Sequence, residues 1–546
     1  MTNIIQKAGR IITGTFSLAD VPGFPNELYE SQKAIYRKYE NWMRGQPLEE
    51  TIQKKGKKIE KYPLKINPLI STVQKHAYIL FGETSDDGRP LVITKVIPNQ
   101  DDDTHRKRAE EAESALNHLW WENNGRALMM ENGIISQIYG GCIFKATYVP
   151  WEGKDKGGWR TIPIRIERVH PKSFVGRVSS GDMYRLDEAW IVSDMPLEEA
   201  RKWGYDGYDD TPTYIQYWDK DKYWTQINEQ EASFPMANPD EYKNPLKGTN
   251  VFNFVPVVYI PHIRVGGFHG LSVIEPLKGL IKELNMRFAD YGDAVSVDSH
   301  NIIAISDVNG TPQLVRIADG LEVVNLGSAG NITGNEISPK MFEVMKAKAS
   351  PAMQNLLKEL TDQYRRDSFV PAVAYGEDEG SQRSALTLAT RFWPLIAHVG
   401  MERINFSTGL DVFNTYLLRM MAKLGIRDLT EEHTEMRMKQ SWAPMLPRDR
   451  EAEVQEWASR AQNNIGSIEH LLELPRDIDD IAQEREKILK WIEDVEEIKA
   501  KVQSKYNVSV SSPSSTNPAI PQKGRPKQKP EIKPSEKHGG GGGGEA

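Results

Sequence analysis

Apolar residues between Gly270 and His300 return every three or four positions, at Leu277, Leu280, Ile281, Leu284, Phe288 and Tyr291, which predicts one long helix with a single buried face. Ser272 followed by Glu275 has the spacing of a capping box and marks its start. From Asn301 to Ala349 the rhythm shortens to β-prone runs broken by turn residues: NIIAISDVNG, LVRIADG, LEVVNLG and FEVMKA. Helix resumes at Ser350-Pro351, where serine caps and proline suits the first turn, and runs to about Asp367. In the segment Ser368 to Ser384, Pro371, Gly376 and Gly380 forbid continuous helix, and Glu377, Asp378 and Glu379 make an acidic tip. A second long stripe, Ala385, Leu388, Phe392, Leu395, Ile396, Val399, Ile404 and Leu410, continues to Leu424, with a kink predicted at Pro394.

Upstream, residues 1–26 read as flexible, and Glu27 to Gly45 as a helix packed through Leu28, Tyr29, Ile35, Tyr36, Tyr39 and Trp42. Further helices are predicted at Pro68–Phe81 and Thr104–Asn123, the second ending in Trp120-Trp121, a pair assigned to the core. Residues Cys142 to Tyr259 alternate with the period of strands, interrupted by a short helix at Pro196–Trp203, with a hairpin turning at Asp219 to Asp221. Lys54, Lys55, Lys57, Lys58 and Lys61 form a basic patch that suits nucleic acid or, as the ordinary outcome, a solvated loop. Downstream, Leu429 to Pro447 reads as an irregular or mixed connection. Helical periodicity returns from Asp449 to Gln503, in two stretches separated by Pro475. Residues 507–546, rich in proline, serine, lysine and glycine, have almost nothing to bury and read as a disordered tail.

Composition narrows the function more than the fold. A chain of 546 residues exceeds one ordinary core, so several domains are expected. No apolar run is long enough for a membrane span, and the stretch MTNIIQKAGR lacks a secretory hydrophobic region, so a soluble protein made in a cytoplasm is expected. One cysteine, Cys142, excludes a disulfide framework and a multi-thiolate metal site. The net charge of −7 argues against a tight grip on phosphates. Catalytic equipment is missing too: there is no phosphate loop, no HExxH, no GxSxG, and the eleven histidines show no paired ligand spacing. GEDEGS, Gly376 to Ser381, sets three carboxylates where a phosphate would sit. The acidic groups Asp101 to Asp103, Asp209-Asp210 and Asp479-Asp480 fit solvated turns and caps better than a Mg2+ nuclease site. The expectation is no catalytic residue, no metal and no cofactor.

Four segments in order carry a resemblance: NPLISTVQKHAYILFG (67–82), MENGIISQIYGGCIFKATYV (130–149), GLSVIEPLKGLIKELN (270–285) and IGSIEHLLELPRDIDDIAQEREKILKWIEDVEE (465–497). Together they resemble the portal proteins of tailed bacteriophages, the head-to-tail connectors of the long-tailed type. The resemblance covers roughly Glu27 to Tyr506. It implies an α+β, elongated subunit: a wing over 27–269, stem helices at 270–300 and 350–368 bracketing a clip at 301–349, and a tunnel loop at 369–384. A long wing helix at 385–425 and a helical crown over 426–506, its helices at Asp449 to Gln503, complete the arrangement.

It further implies a homo-oligomer, a dodecameric ring at one capsid vertex of the virion, assembled in the host cytoplasm with major capsid and scaffolding proteins. Double-stranded DNA would pass through it, and the clip would dock the terminase large subunit and then head-completion (adaptor) proteins. The loop residues facing DNA would be Val370, Tyr375, Gly376, Glu377, Asp378, Glu379, Gly380, Ser381, Gln382 and Arg383. Lys278 and Lys282 on the first stem helix, with Arg365 and Arg366 at the foot of the second, are candidates for a basic belt in the channel; solvated positions or ion pairs are the plainer reading. The alternatives are another ring-forming connector or minor capsid protein, and a packaging nuclease or ATPase.

Overall fold

Where the periodicity is strongest, the structure follows it. The computed structural model describes residues 16–46, 53–54, 57–58, 65–82, 91–100, 102–149, 161–179, 181–232, 248–299, 302–306, 313–317, 321–325, 340–343, 351–377, 385–446, 450–463 and 481–506. Contacts divide the chain into two units, Met1–Arg448 and Asp449–Ala546. Helix and sheet are mixed throughout, as an α+β chain requires.

The first unit opens with α1 (Asn26–Met43), which buries Tyr29 and Tyr36 and exposes Leu28 and Ile35. The sequence counted all four as packed, but successive helical positions point about 100° apart, so each adjacent pair splits between core and solvent. β1 (Gln53–Lys54) and β2 (Lys57–Lys58) pair antiparallel, setting Lys54 against Lys57 in register. Lys55 and Lys61 lie outside the described residues. Next come α2 (Leu69–Phe81), β3 (Val92–Ile97), α3 (Asp103–Glu122) and α4 (Gly125–Tyr139). Asp102 caps α3 by accepting from the His105 amide. The same angular rule corrects the tryptophan pair: Trp120 is 1% exposed, whereas Trp121 is 56% exposed and stacks on His118.

Strands then dominate: β4 (Gly141–Tyr148), β5 (Ile164–Val169), β6 (Phe174–Ser179) and β7 (Asp182–Asp194), the short α5 (Leu197–Lys202), then β8 (Thr213–Asp219), β9 (Tyr223–Ile227), β10 (Gln230–Glu231), β11 (Val257–Pro261), β12 (Ile263–Arg264) and β13 (Gly270–Leu271). They form an antiparallel five-stranded sheet in the order β10-β9-β8-β7-β6 and an antiparallel three-stranded sheet in the order β11-β4-β5. The hairpin between β8 and β9 turns where the sequence placed it. Cys142 is fully buried in β4, and burial pushes its thiol well above the usual range, so it packs as a small apolar side chain.

The long helices follow: α6 (Ile274–Ser299), the strands β14 (Ile302–Ser306), β15 (Gln313–Ile317), β16 (Leu321–Asn325) and β17 (Lys340–Glu343), then α7 (Pro351–Asp367) and α8 (Ala385–Lys423). The four strands make one sheet, β15-β16-β14-β17, in which β14 and β16 run parallel. α6 packs its stripe Ile274, Leu277, Ile281 and Leu284 against Leu69 of α2 and Tyr364 of α7. Its start differs from the reciprocal capping box. Ser272 accepts from the Ile274 amide and donates to the Ile138 carbonyl, while Glu275 pairs with Lys278 one turn on.

Gly270 owes its identity to a crossing of chains. A Cβ there would lie 2.2 Å from the Gly140 carbonyl oxygen, and a Cβ on Gly140, at φ +79°, would lie 2.2 Å from the Gly270 carbonyl oxygen. Two of the segments that carried the resemblance therefore touch, backbone to backbone.

α8 stays helical through Pro394 and supplies much of the core. Leu395, Val399, Phe406, Leu410, Phe413 and Leu417 are buried, whereas Leu388 and Ile404, counted in the stripe from sequence, face solvent. Trp120 meets Phe144 and Phe413 edge-on or tilted and donates its indole N–H to Asn414 at 2.8 Å. After α8 the chain stays with the first unit. β18 (Arg437–Trp442) pairs antiparallel with β3 along six residue pairs, so residues 426–446 join the core of the first unit. In the second unit, α9 (Arg450–Gln462) and α10 (Ile481–Tyr506) are helical as expected, with Trp491 and Ile492 exposed.

Candidate functional site

The segment that follows α7 is tied down at its root by buried groups and at its far end by exposed ones. Tyr364, on the last turn of α7, is buried, and its hydroxyl lies 2.6 Å from the Thr72 hydroxyl of α2. One turn further along α2, His76 Nε2–H donates to the Ser368 carbonyl at 2.8 Å. Phe369 then takes φ +58°, a conformation that a bulky L-residue seldom adopts. Phe369 is 41% exposed, and its ring lies flat on His398 of α8, with centroids 4.5 Å apart at 22°. Val370 is fully buried, and Pro371 opens a single 3-10 turn, Ala372–Tyr375, closed by Gly376 at φ +78°.

At the far end, the Tyr375 ring lies 4.0 Å from the Lys75 ammonium of α2 and 5.7 Å from the Arg365 guanidinium. Arg365 Nη2 donates to Glu377 Oε1 at 2.6 Å, and its Nη1 reaches Asp362 at 3.5 Å. Two residues singled out separately from sequence, one in the basic belt and one in the loop, thus neutralise each other. Arg366 pairs with Glu359 at 2.7 Å, Lys278 pairs with Glu275, and Lys282 is exposed on α6. Of the loop residues named from sequence, Val370, Tyr375, Gly376 and Glu377 are described. Asp378, Glu379, Gly380, Ser381, Gln382 and Arg383 lie outside the described residues.

Beneath the root lies a polar cluster that the sequence reading missed. His76, His262 and His398 are in ring contact in series, with centroids 5.1 Å apart for His76–His398 and 5.5 Å for His262–His398. His262 donates from Nδ1 to the Leu271 carbonyl at 2.8 Å, which leaves its Nε2 a bare acceptor 3.7 Å from Glu402. Glu402 is fully buried on α8 and accepts from Gln137 on both oxygens at 2.7 Å and from Ser136 at 2.9 Å.

Burial favours the neutral form of every member. It lowers His76 and His262 to about 4 and, helped by the other two rings, His398 to about 3. Glu402 is pushed up to about 8 against the pull of its hydrogen bonds. The available signal was spacing: His398 and Glu402 fall in phase with Leu395, Phe406 and Leu410, polar residues on an apolar face. Among the described residues, no group of three or more histidine, cysteine, aspartate or glutamate side chains is arranged to hold a metal ion. None of the described helices is long and apolar enough to cross a membrane.

The sequence model of the family described as phage portal protein, SPP1 Gp6-like, matches residues 102–499. The chain belongs to the phage portal protein family. No curated protein matches it. In this portal protein the matched span opens at the cap of α3 and closes inside α10. It takes in α6, α7, the segment after α7 and α8, but not α2, whose Thr72, Lys75 and His76 hold that segment in place. Portal membership makes the chain part of a capsid-associated oligomer at the capsid vertex, in a family of structural rather than enzymatic proteins.

Proposed function

We propose that this chain builds the ring through which double-stranded DNA enters the capsid during packaging and leaves it during ejection, without chemistry of its own. In this reading α6 and α7 are the stem, and the sheet of β14 to β17 is the clip that docks the terminase large subunit and later the head-completion proteins. The segment after α7 is the tunnel loop that meets DNA. α9 and α10, after Asp449, belong to the crown.

The observation that supports it is the charge arrangement of the loop. A channel needs contacts with phosphate that break quickly, and a duplex held by unpaired arginines would stall. Here Arg365, at the end of α7, is already occupied by a loop carboxylate, Glu377, and the chain carries a net charge of −7 that a ring of copies multiplies. Phosphates passing the loop therefore meet a neutralised or acidic surface.

Replacing Glu377, Asp378 and Glu379 with lysine is expected to slow or stall DNA packaging while purified rings still form. Normal packaging by the triple variant, or hydrolysis of ATP or DNA by the purified wild-type ring, would overturn the reading.

A further inference from the structure

The root of the segment, Ser368 to Val370, combines three features that simple packing does not require. An aromatic residue, Phe369, sits in the left-handed region although its ring is too exposed for burial to hold it there. Following the last turn of α7, it ends the helix with its N–H donating to the Arg366 carbonyl at 3.1 Å, a place where glycine is usual, and its ring lies flat on the imidazole of His398. Under that stack two buried nitrogens, His262 Nε2 and His398 Nε2, have no hydrogen-bond partner among the described residues. A leucine or phenylalanine at these positions would fill the space without leaving polar atoms unsatisfied, and such atoms in a native interior call for an explanation.

We propose that Phe369, His398 and His76 form a latch that positions the loop. Closed, it holds Phe369 in its strained conformation and keeps Ala372–Tyr375 and Glu377 against Lys75 and Arg365. It opens when Phe369 leaves the left-handed region. The strain is then relieved, the imidazoles gain access to water, and the turn Ala372–Tyr375, no longer held against Lys75 and Arg365, unwinds. The closed state therefore stores strain and unsatisfied polarity that the open state releases. His398 and His76 are positioning residues in this scheme: they touch the backbone and ring at the root and act on the loop through it. That the device serves DNA passage rests on the proposed function; the latch itself does not.

The amides of Ala374, Gly376 and Glu377 report the closed state, because they donate to Pro371, Val373 and Ala372 within the segment. Hydrogen exchange on the full-length protein, with no DNA present, is the test. In Phe369→Ala, which keeps the backbone strain and removes the stack, these amides are expected to exchange at least tenfold faster, with the amides of α7 and the core part of α8 unchanged. His398→Ala should do the same, and His398→Phe, which preserves a ring to stack on, should restore near wild-type protection. Unchanged exchange in Phe369→Ala would overturn the latch, as would a loosening that spreads evenly through α8. Because Phe369 is partly exposed and its alanine variant leaves the core intact, the test stands even where His398→Ala does not fold. Packaging is not measured, so a failed latch and a failed channel loop give different results.

Discussion

The two attachments of the segment Ser368–Glu377 are built from opposite materials. The root uses neutral, buried groups: a histidine donating to a buried carbonyl, an imidazole under an aromatic ring and the fully buried Val370. The far end uses exposed charge: Arg365 on Glu377 and two cations near the Tyr375 ring. Buried hydrogen bonds are costly to lose because the orphaned partner stays desolvated, whereas exposed ion pairs exchange with water and salt at little cost. A loop held this way has a root that is costly to release and a tip that exchanges readily with water and salt.

The strongest test of the root is His76→Ala. It removes the donor to the Ser368 carbonyl and leaves a ring-sized space beside His398, which together should lower unfolding stability by about 2–4 kcal/mol. Denaturant titration of the purified protein measures this. A loss below about 0.5 kcal/mol, the ordinary range for surface changes, would show that the root is not the firm attachment.

The second test uses pH. The three histidines titrate lower in the fold than their ordinary 6.5, so the stability they contribute is complete above about 6.5 and is lost as pH falls through about 4. Glu402 behaves oppositely. Its pKa is raised from 4.5 to about 8, so its contribution is complete below about 4.5 and is lost as pH rises through about 8. The wild type should therefore weaken on both sides. Glu402→Gln should remove the alkaline loss, with a gain on the order of 2 kcal/mol by about pH 9 that vanishes toward about pH 5. Thermal melts across pH read this directly, and parallel curves for the two proteins would mean that Glu402 is ionised in the fold.

How much of this was legible beforehand depends on whether a residue's role is set by its own element. The stripe on α6 could be read because Leu277, Ile281 and Leu284 need only helical spacing to share a face. The resemblance segments likewise carry local instructions, and the contact of Gly140 with Gly270 gives a physical reason for two of their glycines. β18 was not legible: its partner β3 lies more than 300 positions earlier, and its alternation is too weak to stand out between prolines. The histidine cluster was hidden for a similar reason. His76, His262 and His398 stand on α2, β12's approach and α8, and nothing local says that those elements meet. The split of Trp120 from Trp121 needed the rotation of one helix against its neighbours, which a stripe of apolar residues does not supply.

The smallest expected effect lies at the far end. In a double-mutant cycle of Arg365→Gln and Glu377→Gln, the coupling should be only about 0.2–1 kcal/mol, since Glu377 is more than half exposed and water competes for both partners. It should also shrink as ionic strength rises from about 0.05 M to about 1 M, where the screening length falls to about 3 Å. The His76→Ala loss should not change over the same range, because the hydrogen bond it removes is buried and between groups that carry no net charge. Measured side by side, the two salt responses decide whether root and tip differ in kind. A coupling above about 2 kcal/mol that resists salt would make the tip a second firm anchor, and the segment would then be clamped at both ends rather than at one.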